Sequence, residues 1–161
     1  AYLSILQIQA GLTLQRSRYD EPHKWHDDAP AEKKIFRTPD TYGYFTATYT
    51  PIKPLSIALS GTYTGRMLVQ RMDITAENAE LGAMPERKAE AIRTPRFFDL
   101  GVKLAYDFKL YKTVDLQLNG GVQSLFESYQ KDFDRGANRD SGYIYGPSLP
   151  RSFFAGVKIS Y

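Results

Sequence analysis

The chain contains no cysteine. That excludes a disulfide scaffold, a thiolate metal site and a cysteine nucleophile. Long hydrophobic runs are missing too: no stretch approaches the roughly 18 consecutive apolar residues that a spanning helix needs. Charge of one sign is scarce, with 21 Lys+Arg against 18 Asp+Glu and a net charge of +3. A pI near 9.0 on so small an excess does not by itself imply nucleic acid. The basic residues are not interleaved with aromatics along a groove, so no nucleic-acid partner is expected. The opening AYLSILQIQA has no basic region ahead of an apolar core, so it does not read as a signal peptide. The expectation is a cytosolic chain, or a mature chain or fragment whose beginning lies elsewhere. A Gly-rich phosphate loop, a nucleophile elbow and a zinc pattern are all absent. We therefore expect no enzyme and no cofactor.

What is present is length and aromaticity. The 161 residues include 12 Tyr and 9 Phe, a share that argues against disorder. The dominant pattern is period two, the signature of strands with two unlike faces. The first segment sets Leu6, Ile8, Ala10, Leu12 and Leu14 against Gln7, Gln9, Gly11, Thr13 and Gln15. Segment 42–50 sets Phe45, Ala47 and Tyr49 against Tyr42, Tyr44, Thr46 and Thr48. Segment 55–69 sets Leu55, Ile57, Leu59, Tyr63, Met67 and Val69 against Ser56, Ser60, Thr62, Thr64 and Arg66. Segment 98–108 is the clearest, with Phe98, Leu100, Val102, Leu104, Tyr106 and Phe108 opposing Asp99, Gly101, Lys103, Ala105 and Asp107. Segment 114–126 places Val114, Leu116, Leu118, Gly120, Val122 and Phe126 on one face. The last segment places Phe153, Ala155, Val157, Ile159 and Tyr161 on one face.

These six segments predict six strands, most of ten or more residues. Soluble strands average five or six, whereas a tilted strand crossing a bilayer needs about 9–11. The connections alternate strictly. Pro51-Ile-Lys-Pro54 and Lys109-Leu-Tyr-Lys112 make tight turns, while 19–39, 72–95 and 127–150 are roughly 20 residues each. Short turns at one end and long loops at the other are the asymmetry of outer-membrane barrels, periplasmic and extracellular respectively. The apolar faces carry no charge, while Arg66, Asp99, Lys103, Asp107, Asp115 and Lys158 lie on the opposite faces. A cation facing lipid at the midplane costs about 2–4 kcal/mol, so a cleared face suits lipid and a charged one suits a wet lumen. Tyr49, Tyr106, Phe108, Tyr111 and Tyr161 fall near one rim, and Phe98, Phe126, Tyr129 and Phe153 near the other, as headgroup-seeking rings would. The expected fold is all-β: a segment of an antiparallel transmembrane β-barrel, with residues 1–161 forming its C-terminal part. A lipocalin-like soluble ligand-binding β-barrel is the inverted alternative. Six strands do not close a membrane barrel, and open edges are not tolerated in lipid. The remaining barrel must then come from the same parent or a second chain.

The C-terminal alternation Phe153, Val157, Ile159, Tyr161, ending on an aromatic residue, resembles the assembly signature of bacterial outer-membrane proteins. Residues 131–161 resemble the last loop and strand of TonB-dependent outer-membrane receptors, especially of the Bacteroidetes type. The approach Gly146-Pro-Ser-Leu-Pro-Arg151 to the closing Gly156-Val-Lys is the most specific part, and Val122-Gln-Ser-Leu-Phe126 resembles the penultimate-strand motif. Ser124 stands where Asn is usual. The motif resemblance covers about residues 113–161. That family's barrel has 22 strands around a plug; the resemblance implies that this chain supplies the last six. It further implies bacterial outer-membrane localisation and import of a scarce, bulky nutrient of the siderophore-iron, heme or cobalamin class. TonB would act through a plug absent from this chain. Variants carried alongside are a glycan- or peptide-importing receptor paired with a surface lipoprotein, and a passive porin or anchoring barrel.

Among candidate site residues, His23-Lys-Trp-His26-Asp-Asp28 is the most chemically pointed cluster. His23 and His26 beside two carboxylates have the donor types for a divalent metal or heme iron, but a solvated loop tip of mixed charge explains them better and no metal is assigned. Trp25 is a candidate for stacking on an organic ligand. Arg139, with Lys131, Arg135 and Arg151 in the last loop, is a candidate for anionic ligands or headgroups. Ala76–Gly82 and Pro85–Ile92 have the composition of short helices in a salt-bridged cap. Asp99, Asp107 and Asp115 read as lumenal hydrogen-bond partners.

Overall fold

The computed structural model describes residues 5–74, 87–111, 114–136 and 139–161. They form ten strands and no helix: β1 (Ile5–Leu14), β2 (Arg18–His23), β3 (Glu32–Lys34), β4 (Thr41–Ile52), β5 (Leu55–Thr64), β6 (Leu68–Ile74), β7 (Arg87–Arg93), β8 (Phe97–Tyr111), β9 (Val114–Gln123) and β10 (Ser152–Ser160). Six of them make one antiparallel sheet in the order β1-β4-β5-β8-β9-β10. This is a plain meander of the six segments that alternate in sequence.

The register joins the alternations into two continuous faces. Ile8 lies opposite Ala47, Ala47 opposite Leu59, and Leu59 opposite Val102. Val102 lies opposite Val122, and Val122 opposite Phe153. Side chains of directly opposed residues share a face, so the charge-free apolar set of every strand merges into one surface. The other surface collects the polar set, knit by cross-strand bonds. Gln117 Nε2 donates to Asp107 Oδ1 at 2.7 Å, and Gln9 Nε2 donates to the Tyr44 hydroxyl at 3.3 Å.

The apolar surface is open. Leu6, Ile8, Leu12, Leu14, Leu104, Phe153, Val157 and Ile159 are each between 51% and 80% exposed. The buried apolar side chains sit elsewhere: Ala29, Met67, Leu68, Val69, Ala89 and Tyr143 lie in the connections, and Phe97 is the first residue of β8. The sheet itself therefore contributes almost nothing to the core of the described residues.

Both short connections leave one end of the sheet and all three long ones leave the other. The pairing of Leu14 with Thr41, of Thr64 with Phe97 and of Gln123 with Ser152 fixes this. Two long connections carry their own ribbons, β2–β3 and β6–β7. Three expectations need correction. Segment 55–69 is not one strand. It breaks after Thr64, and Met67 and Val69 turn into the loop core because burial there outweighs continued alternation. Arg66 accordingly lies beyond β5 and not on it. Segment 114–126 ends at Gln123, since Ser124 takes a left-handed backbone (φ 53°) that no strand can continue. The helix expected over 85–92 is strand from Arg87 onward, because Val69 pairs with Ile92 and Met72 with Ala89, and this pairing overrides the propensity of an Ala- and Glu-containing run. The other expected helix, 76–82, lies outside the described residues, as does residue 112 of the second short turn.

Candidate functional site

The three long connections fold onto one another. Tyr143 packs with Met67 and Val69, and Ile92 and Tyr145 close the flank. Arg37 ties all three connections together. Its left-handed backbone (φ 57°) points its amide at Leu68 O, 2.7 Å away, and its guanidinium donates to Ile144 O at 2.8 Å and Gly142 O at 2.6 Å. Between the second and third connections, Arg71 pairs with Asp134 at 2.9 Å and lies 5.0 Å from the centre of the Tyr143 ring. The Met72 amide donates to Asp140 Oδ2 at 2.8 Å.

Within this cluster Gln130 is buried and fully used. Its Nε2 donates to Tyr143 O at 3.0 Å, and its Oε1 accepts from the amides of Tyr145 and Gly146 at 2.9 and 3.3 Å. Its own amide donates to Pro147 O at 2.9 Å. A buried amide side chain with these partners fixes the path of residues 143–147. That path, with two residues of spacing, delivers both tyrosine hydroxyls to one carboxylate. Tyr143 donates to Asp132 Oδ2 at 2.9 Å and Tyr145 to Oδ1 at 2.6 Å. Burial raises the Asp132 pKa, but these two hydroxyl bonds together with backbone and Gln130 hydrogen bonds outweigh it and hold the carboxyl below its ordinary range. Burial, then the hydrogen bond to Asp132, pushes the Tyr143 phenol up to about 12. Tyr145 is raised as well, by the same causes in the same order. At neutral pH the site is thus a carboxylate held between two neutral phenols.

Beside it lies a recess of about 390 Å³, walled by Pro95, Arg96, Phe97, Glu127, Ser128, Tyr129, Lys131, Asp132 and Tyr145. Phe97 and Tyr145 touch with ring centres 6.0 Å apart, and the Lys131 ammonium sits 5.4 Å from the Tyr129 ring centre. Aromatic faces with charged and hydroxyl groups at their edges suit a polar organic ligand, which stacks on the rings and exchanges hydrogen bonds at the rim.

The residues singled out from sequence lie elsewhere. His23 ends β2 opposite Glu32 and contacts the Tyr19 ring. His26 accepts from the Asp28 amide at 3.3 Å, and its Nδ1 is 3.6 Å from the Asp28 carboxylate. Among the described residues no group of three His, Asp or Glu converges. Trp25 lays its ring edge-on to Phe36, and its Nε1 is buried without a hydrogen-bond partner among the described residues. This indole packs into the first connection. Arg139 is exposed and donates to Gly136 O at 3.2 Å. Phe153, Val157, Ile159 and Tyr161 are all exposed, the first three on β10 and the last just after it. Asp99 accepts from the Leu100 amide and the Ser124 hydroxyl, and Asp107 from Gln117, while Asp115 lines an open hollow with Lys53, Gln117 and Lys158. Sequence reasoning missed Gln130, Asp132, Tyr143, Tyr145 and Phe97 as site residues. The one signal available was the Tyr143-Ile-Tyr145 alternation, which puts two phenols on one side of an extended stretch.

No protein-family model matches this sequence, and neither does any curated protein.

Proposed function

We propose that this chain is the outer-membrane arc of a transmembrane β-barrel belonging to a TonB-dependent importer, and that its loop cluster meets the ligand on the outside. The observation that carries the reading is the charge-free apolar face spread across six paired strands and left open to the surroundings. Fully burying one large apolar side chain is worth about 1.5–3 kcal/mol. Eight such side chains left half or more exposed forfeit on the order of 10 kcal/mol, comparable with the whole stability of a domain. Lipid removes that cost.

The strand dimensions agree. From Phe98 to Phe108 along β8 is ten residue-to-residue steps, about 33 Å of strand. At a tilt near 45° this spans about 23 Å, close to the roughly 25 Å apolar band of such barrels. Rings mark both ends of the span. Tyr106 and Phe108 touch near the short turns with centres 4.6 Å apart, and Phe98 stacks on Phe126 near the long loops at 5.7 Å. The sheet stops at β1 and β10, each paired on one side among the described residues. The missing partners are further strands of the same barrel, supplied by the parent or by a second chain, and the plug and TonB act through those parts.

The importer class rests on the resemblance of residues 113–161 together with the binding recess beside Asp132. Cargo of the siderophore-iron, heme or cobalamin class is one form of the reading. A glycan or peptide delivered with a surface lipoprotein is the other, and the ring-and-carboxylate lining of the recess favours a polyhydroxylated or amide-rich ligand. Uptake measured in cells with and without TonB tests the class. Uptake that survives loss of TonB would make the barrel a passive porin or an anchor.

A further inference from the structure

The polar face of the sheet holds a hollow that the importer reading leaves unused. It lies at the loop end, where Thr62 opposes Asp99 and Ser60 opposes Gly101 across β5 and β8. Gln123 continues the same face at the end of β9, and Ser124 lies just beyond it. Pro147, Ser148 and Leu149 of the third connection form the remaining wall. The hollow measures about 340 Å³, within the range of about 300–1,000 Å³ common for small-molecule sites. Its floor is open because Gly101 has no side chain; a Cβ there would stand 2.9 Å from Ser60 Oγ.

The lining has one kind of chemistry. Ser60, Thr62, Ser124 and Ser148 present hydroxyls and Gln123 presents an amide, all able to donate and to accept. Asp99 is the single charged residue of the lining among the described residues. Its Oδ1 accepts from the Leu100 amide at 2.9 Å, and its Oδ2 is 3.5 Å from the Ser124 hydroxyl. An ionised carboxylate has room for about four hydrogen bonds, so Asp99 retains capacity for further donors. An anion would meet this carboxylate with no cation in the lining to offset it. A divalent cation would find only one carboxylate, and its affinity falls with the charge of its ligands. Adjacent hydroxyls on a ring match the two oxygens of a single carboxylate. Leu149 is 64% exposed and offers an apolar plate for the C–H face of such a ring.

We propose that this hollow binds a neutral, ring-shaped polyol of the pyranose kind. Two adjacent hydroxyls donate to Asp99, others bond Thr62 and Gln123, and the C–H face lies on Leu149. The site is separate from the recess beside Asp132, with which it shares no lining residue. It uses only the polar face and the third connection, so it depends neither on lipid at the opposite face nor on TonB.

The test titrates the full chain, in sugar-free zwitterionic micelles, with methyl β-glucopyranoside and reads the Gly101 and Gln123 amide shifts by NMR. Glucuronate and calcium chloride are titrated in parallel. The glucoside gives saturable shifts, and glucuronate binds about fivefold more weakly because its carboxylate meets Asp99. Asp99→Asn lowers glucoside affinity about tenfold by removing a charged acceptor. Thr62→Val and Leu149→Ser, both at exposed positions, each lower it about threefold. Should Asp99→Asn disturb the sheet, these two exposed variants still decide. Absence of glucoside shifts overturns the inference, as does affinity unchanged in both Thr62→Val and Leu149→Ser. Affinity that survives those variants but is lost in Lys131→Ala belongs to the recess beside Asp132; it overturns this inference and leaves the importer reading standing. Calcium that reproduces the glucoside shifts makes Asp99 a cation ligand and also overturns it. Uptake that persists without TonB removes the importer reading alone, and glucoside binding weakened by Thr62→Val then still supports this site.

Discussion

Asp132→Ala is the sharpest perturbation of the loop cluster. It deletes the acceptor of two hydroxyls, one of which belongs to Tyr143, a residue only 2% exposed. A hydrogen bond to a charged group contributes about 1.5–3 kcal/mol, and a buried hydroxyl left without a partner costs about 1–3. Tyr145 is less buried and recovers part of its loss from water. The two bonds share one carboxylate, so their effects do not add, and a net cost of about 2–4 kcal/mol follows. The loss is local. The six-stranded sheet meets the Asp132 group at Phe97, the first residue of β8, whose ring touches Tyr145; away from that end the sheet persists while the cluster opens. Hydrogen exchange is the assay. The Met72, Tyr145 and Gly146 amides, bonded to Asp140 and Gln130 side chains, lose about 30- to 1000-fold protection at that cost, while Leu104 and Leu118 in β8 and β9 keep theirs. A double cycle with Tyr143→Phe isolates the pair. Unchanged exchange at Tyr145 and Gly146 in Asp132→Ala would refute the reasoning, as would a Tyr143→Phe effect that fully adds to it.

Other outcomes follow from the same geometry. The Tyr143 phenol is raised from 10.0 to about 12, so its contribution is complete below pH 10 and disappears as pH rises through 12; tyrosine absorbance should show the cluster opening in that window. Asp132 is depressed below 3.8, so its contribution holds above that value and is lost on further acidification; a cluster that loosens already at pH 5 would contradict this. Arg37→Gly keeps the amide bond to Leu68 O but removes two charged donors, weakening the junction of the three connections by about 2–3 kcal/mol, read as faster proteolysis within 15–40. Ser124→Asn relieves a left-handed Ser (φ 53°) and should stabilise by up to about 1 kcal/mol in denaturant midpoint. A destabilised Ser124→Asn would mean that the Asp99 contact of Ser124 matters more than its backbone.

The sheet was legible because period two is a local property. Every residue from Phe98 to Phe108 declares its face by its neighbours, and the pairing of β8 with β5 and β9 only had to align patterns already written. The ribbons β2–β3 and β6–β7 were not legible. Arg18–His23 has no apolar alternation, and Leu68–Ile74 looked like the continuation of a strand that ends at Thr64. The site was hidden for a different reason. Arg37 meets Ile144 across 107 residues and Met72 meets Asp140 across 68, and no spacing rule reaches that far. His23, His26 and Trp25 stood out by residue type, yet type alone does not bring partners together. Gln130, with an unremarkable sequence setting, organises the strip that carries both tyrosines.

The central claim is that one face of this sheet meets lipid. The absence of cysteine from the chain permits a clean scan. Single cysteines at Phe153, Ala155, Val157 and Ile159, and at Phe154, Gly156, Lys158 and Ser160, are spin-labelled in phosphatidylcholine bilayers and challenged with oxygen and with a water-soluble nickel complex. The account predicts strict alternation, with the odd positions relaxed by oxygen and the even ones by nickel. Nickel access at every position, or a chain that never enters the bilayer, would contradict it.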